Sequence, residues 1–119
     1  MELYLTTEPP DHLFVHLLDG HEEKVVGVGN IRAGVDSLTR AVNDAMAGGH
    51  GECFWPGLEG GQYWWMFRRD GDQMDVIAMW TRGGAALWEH VFRATSEAAF
   101  LRDRLACETS TLMGQWGNG

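Results

Sequence analysis

A chain of 119 residues with 45% hydrophobic, 22% charged and 11% aromatic side chains has the length and make-up of one globular domain. That excludes disordered, collagen-like and repeat architectures, and it is too short for a two-domain nucleotide-binding enzyme. The net charge is −8 and unevenly placed: residues 1–60 hold ten acidic side chains against three basic ones, a net −7, and the other 59 residues hold seven against six, a net −1. Phosphate backbones and anionic lipid surfaces repel such an N-terminal half, so neither nucleic acid nor membrane is an expected partner, whereas a basic protein would associate faster with it. No apolar run approaches the ~18 residues of a membrane span. Met1–Thr6 lacks the basic start of a secretion signal, and two cysteines, Cys53 and Cys107, make no disulfide framework. The expected location is the cytoplasm, with both thiols reduced.

Glu2–Thr6 reads as a short strand that ends at Glu8-Pro9-Pro10. In Asp11–Leu18, Leu13, Val15 and Leu17 alternate with His12, Phe14 and His16, the period of a half-buried strand. Asp19-Gly20 turns the chain into a third strand, 23–28, which Gly27 and Gly29 weaken. Val35, Leu38, Val42, Ala45 and Met46 then recur at three and four residues, predicting a helix over 34–47 capped by Asn30 or Asp36 and stopped by Gly48-Gly49. A meander follows: a short strand over 52–55 broken by Pro56-Gly57, a strong strand over 62–69, a tight Asp70-Gly71-Asp72 turn, a return strand over 73–81, and a fourth strand over 85–93. Thr95 or Ser96 caps a last helix near 96–108, with Ala98, Leu101, Leu105 and Leu112 facing inward and Phe100 widening that stripe. The resulting expectation is one α+β domain over 1–113, built on an antiparallel sheet of about five to seven strands with two helices packed on one face. Residues 114–119 are expected to fray.

The motifs that suggest chemistry are incomplete. His50-Gly51-Glu52 matches half of a zinc deaminase signature, but the Pro-Cys-x-x-Cys half is missing. A looser metal site from His50, Cys53 and one of His12, His16 or His90 would need ligands to converge from distant strands, and whether they do, His90 above all, is not readable from spacing. His12-x-x-x-His16 has helical ligand spacing on a strand pattern, where four residues span about 13 Å. Gly27-x-Gly29 before a helix lacks the third glycine of a dinucleotide loop, since Arg32 stands there. No Gly-x-Ser-x-Gly elbow exists, and Cys53 and His50 have no orienting third group in view. The reading is therefore a non-enzyme without a metal or other cofactor.

What stands out is tryptophan, six in 119 residues. In Tyr63-Trp64-Trp65-Met66-Phe67 both parities are apolar, although a half-buried strand needs only one apolar face. One of Trp64 and Trp65 must then face away from the helices, toward a second cover, a ligand or a partner. Trp64, Trp65, Tyr63, Trp80 and Trp88 are the aromatic candidates for a protein-binding surface, with Glu22 and Glu23 as its acidic complement to a basic partner.

The amphipathic helix over 34–47, the stretch Phe54-Trp55-Pro56-Gly57-Leu58 leading into a strand, and Trp88–Arg93 running into Thr95-Ser96-Glu97 together resemble small bacterial immunity-type proteins, in particular the immunity family of the wall-associated contact-dependent toxins. The likeness is one of layout and apolar pattern over residues 24–110. It implies a cytoplasmic protein that binds and blocks a basic toxin or effector domain, and it carries over no catalytic residue. Two other readings stand beside it: a small-molecule or metal-binding domain that uses the aromatic sheet face, and a homodimer whose surplus aromatics meet at a two-fold interface.

Overall fold

Period-two alternation builds the first three strands of the computed structural model, which describes residues 1–83 and 87–117, with side chains through Gly114. Strands β1 (Glu2–Glu8), β2 (His12–Asp19) and β3 (Glu22–Val28) form an antiparallel sheet in the order β1-β2-β3. Leu13, Val15 and Leu17 of β2 are fully buried, while His12, Phe14, His16 and Leu18 line the other, half-open face. The chain then enters helix α1 (Ile31–Gly48) and returns as β4 (His50–Pro56), β5 (Gln62–Asp70), β6 (Gln73–Thr81) and β7 (Glu89–Glu97), a second antiparallel sheet in sequence order. Helix α2 (Ala98–Gly117) closes the fold. The α+β class and the two helices are as expected. The seven strands, however, divide between two sheets of three and four rather than forming one. Both inner faces and both helices share one core, to which the first sheet gives Leu13, Val15 and Val26, the second Trp65, Phe67 and Val76, α1 Leu38 and Val42, and α2 Leu101 and Leu105.

Helix α1 begins at Ile31, earlier than its apolar stripe suggests, because two side chains satisfy its first amides. Asn30 Oδ1 accepts from the Ala33 N–H at 3.0 Å, and Asp11 Oδ1, from the end of the β1–β2 connection, accepts from the Ile31 N–H at 3.1 Å. At the other end the Gly49 N–H donates to the Ala45 carbonyl, and the Arg69 guanidinium donates to the Met46 carbonyl at 2.6 Å. That arginine supplies, from β5, the positive charge that the last turn of α1 lacks. Strand β4 lies directly against α1: a Cβ at Gly51 would run into the Ala41 backbone carbonyl, so only glycine allows this approach.

The C-terminal third departs from expectation. Thr95 and Ser96 are not helix caps; they pair with Asp75 and Met74 in the β6–β7 ladder, and the Thr95 hydroxyl donates to Asp75 Oδ1 at 2.8 Å. Alternating burial continues through Phe92, Ala94, Ser96 and Ala98, which extends the strand. The expected strand start at Ala85 and Ala86 lies outside the described residues. The helix starts at Ala98, whose N–H donates to the Asp72 carbonyl at 2.7 Å, and it runs to Gly117. Most of the expected frayed tail is therefore helical, because Leu112 still reaches the core, while Asn118 and Gly119 lie outside the described residues.

Candidate functional site

The two parities of β5 part as a strand requires. Trp65 and Phe67 point inward with no exposure, and Trp64 and Met66 point outward, half-buried. Trp65 meets Trp55 edge-on (5.3 Å, 68°) and stacks on Phe67 (6.1 Å, 3°), which fixes it as core. Its indole N–H has no acceptor among the described residues. Trp65 therefore leaves the list of surface candidates: a side chain with no exposure cannot touch a partner.

The outward residues form rows across all four strands of the second sheet. One row runs Phe54, Trp64, Met79, His90; the next runs Glu52, Met66, Ile77, Arg93; a third runs His50, Arg68, Asp75, Thr95. The face thus grades from aromatic to charged. At its aromatic end Phe54 stacks on Trp64 (5.7 Å, 15°), and Trp88 packs against both, 5.3 Å from Trp64 and 6.3 Å from Phe54. Phe54 is 46% exposed. The Trp64 indole N–H donates to Glu52 Oε2 at 3.0 Å, and His50 lies 3.7 Å from the same oxygen, so an acid edges the aromatic cluster. A register shift between Ala78 and Met79 bulges β7 and re-aims its first residues toward this cluster.

Tyr63 and Trp80 sit elsewhere. They are cross-strand partners on the inner side of β5 and β6, at the end of the sheet where the Gly57–Gly61 loop folds over. The Gly57 N–H donates to the Gly61 carbonyl at 3.0 Å, and Gly61 has a φ of 72°. A Cβ at Gly61 would come within 2.7 Å of the Trp80 indole nitrogen, so the loop backbone rests on that ring. Beneath the loop opens a cleft of about 580 Å³ lined by Phe14, Leu58, Tyr63, Trp80 and Arg82, reaching Val25 on β3. A neighbouring cleft of about 480 Å³, lined by Pro56, Gln62, Arg82 and Trp88, shares Gly61 and Arg82 with it. Trp64, Trp88, Tyr63 and Trp80 therefore lie along one continuous surface, from the aromatic sheet face through both clefts to the outer face of the first sheet.

Glu22 and Glu23 are not in the aromatic cluster. They open β3, an edge strand of the first sheet, exposed. Glu23 faces His16 at 3.8 Å, and it stands one side-chain step, about 7 Å, from Val25 at the cleft margin. His16 Nε2 also meets the Thr6 hydroxyl at 2.7 Å and its ring stacks on Tyr4 (4.3 Å, 6°). Hydroxyl, imidazole and carboxylate thus stand in the order of a catalytic triad, but the carboxylate is beyond hydrogen-bond reach and Nδ1 has no hydrogen-bond partner, so nothing orients the imidazole as a base.

His50, Cys53 and His90 do not converge. His50 lies at the charged end of the outer face and His90 at the aromatic end, while Cys53 is partly buried beside Ser37 of α1. Burial pushes the Cys53 thiol up to about 11, with the Glu52 carboxylate adding to the rise and the Ser37 hydrogen bond opposing it. Among the described residues no three His, Cys, Asp or Glu side chains gather as a metal-ligand set. Among them, too, no helix is long and apolar enough to cross a membrane.

Sequence reasoning missed Phe54 and Arg82. Phe54 was legible in principle: in a strand over 52–55 it shares parity with Glu52, opposite the core residue Trp55. Arg82 was not, because its place depends on how the two sheets meet. No family model, curated protein or solved structure matches this chain.

Proposed function

We propose that this chain is a non-enzymatic binding protein, of the immunity or inhibitor kind, that occludes a basic toxin or effector domain through the outer face of its second sheet. The carrying observation is the Phe54–Trp64–Trp88 cluster: three large rings packed on one another on a sheet face that neither helix covers. Rings held in place before binding lose little conformational entropy when a partner arrives, and tryptophan dominates the energetics of protein interfaces. Glu52 at the edge of the cluster and the net charge of −8 favour a basic partner and speed its approach. The expected cytoplasmic location belongs to the same reading.

The test is capture from host lysate on the immobilised chain at low and high salt, read by native mass spectrometry, with Trp64→Ala and Phe54→Ala run in parallel. The reading requires one stoichiometric basic partner whose own activity is blocked in the complex. Binding should weaken with salt, and each variant should lose roughly 2 kcal/mol or more of affinity while keeping the native melting behaviour. A partner retained undiminished by both variants moves the interface off this face. A homodimer as the only complex replaces the inhibitor reading with a two-fold assembly.

A further inference from the structure

The cleft beneath the Gly57–Gly61 loop has a composition of its own. Two of its glycines allow close approaches that shape it. A Cβ at Gly27 would come within 2.8 Å of Leu58 and 2.9 Å of Phe14, so the bare backbone there lets Leu58 lie down on the first sheet. Gly61 gives the matching close approach to Trp80 on the other side. The walls between them are rings: Phe14, Tyr63 and Trp80.

The polar side chains of the cleft are mostly donors. Among the described residues the Tyr63 hydroxyl, the Trp80 indole N–H and the Arg82 guanidinium have no hydrogen-bond or ion-pair partner, and all three residues line the cleft. Against them stands one acidic side chain, Glu59 in the loop, also unpaired. Aromatic walls favour a flat ring, and a guanidinium presents a fork of N–H groups that matches a carboxylate. We infer that this cleft binds a small planar aromatic carboxylate, its ring against Phe14, Tyr63 and Trp80 and its carboxylate on Arg82. The site does not depend on the docking reading above and stands if that reading fails.

The test is titration of the full chain with indole-3-carboxylate, followed through the tryptophan indole N–H signals by NMR, with the Trp80 signal assigned from Trp80→Phe. Neutral indole and cationic tryptamine serve as matched probes. Indole-3-carboxylate is expected to move the Trp80 signal saturably with a Kd of about 1 mM or tighter, the range a ligand of this size reaches in a fitted site. Arg82→Gln, an exposed position whose change leaves the core intact, should weaken it about tenfold or more, and Glu59→Gln should tighten it by removing the opposing charge. Trp64→Ala should leave it unchanged. Equal binding of neutral indole, tighter binding of tryptamine, or no saturable shift with any of the three probes overturns the inference.

Discussion

At the scale of single residues, neighbours in sequence have opposite fates. Trp64 and Trp65 differ only in parity, yet one is a surface ring and the other is core. Gly48 and Gly51, three residues apart, are equally unlike. A Cβ at Gly48 meets nothing within 4 Å, whereas one at Gly51 strikes the Ala41 carbonyl of α1. Gly51→Ala is expected to cost about 3 kcal/mol, because backbone and not a flexible side chain must give way. Gly48→Ala should be neutral or slightly stabilising. Thermal melts of the two variants check this: a drop of roughly 10 °C belongs to Gly51→Ala alone. The thiols part in the same way. Cys107 is exposed and Cys53 is partly buried, with its thiol raised to about 11. One thiol per folded chain should react promptly with a thiol reagent at pH 8, and the second only on unfolding. Between pH 9 and about 11 the unfolded chain gives up the Cys53 proton while the folded chain keeps it, so this group lowers stability as pH rises through that window and is silent below it. The stability difference between the wild type and Cys53→Ala should accordingly shift against the wild type from pH 9 to 11, as denaturant titrations at several pH values would show.

At the scale of elements, the least local feature is the closing of an edge. β1 is an outer strand of the first sheet, and α2, about a hundred residues away in the chain, caps it. The Arg104 guanidinium donates to the Leu3 carbonyl at 3.2 Å, and Glu108 accepts from the Leu5 N–H at 3.1 Å. An unpaired strand edge is a template for wrong pairing, and a charged side chain bonded to it blocks that. Glu108→Ala is expected to cost about 1 kcal/mol and to speed hydrogen exchange at the Leu5 amide, while amides of β2, paired on both sides, stay protected. Helix boundaries were legible only where their partners were local. Asn30 is adjacent to the start of α1 and could be read as its cap, but Asp11 lies twenty residues back and could not. The same holds for α2: Thr95 and Ser96 are good caps by residue type, yet pairing with Asp75 and Met74 holds them in a strand.

At the scale of the whole molecule, two sheets and two helices enclose one core and leave the outer face of each sheet open. On the first sheet that face is mixed, with His12, Phe14 and His16; on the second it is aromatic at one end and charged at the other. The proposed partner is expected to dock on the aromatic end, with the clefts around Arg82 continuing the same surface. Salt should slow its association more than it speeds its release, since the charges act at long range and the rings act in contact. Stopped-flow rates at two ionic strengths separate those effects. Trp65→Ala belongs beside this test as its opposite: emptying a fully buried ring site should cost about 3–5 kcal/mol of stability, whereas Trp64→Ala leaves the fold intact.

The sequence by itself determined whatever depends on period and neighbours: seven strands, an amphipathic α1, the turns at Asp19-Gly20 and Asp70-Gly71-Asp72, and the rule that one of Trp64 and Trp65 must face outward. Alternation and helical spacing are local, so a linear reading carries them. Tertiary structure alone decided that the strands part into two sheets, that Trp64 is the outward ring with Phe54 and Trp88 packed on it, that Glu22 and Glu23 lie apart from that cluster, and that Arg82 and Tyr63 line a cleft with Phe14 from the other sheet. Each of those depends on which faces meet across distances in sequence that no local pattern encodes, and the packing of one shared core settles them together.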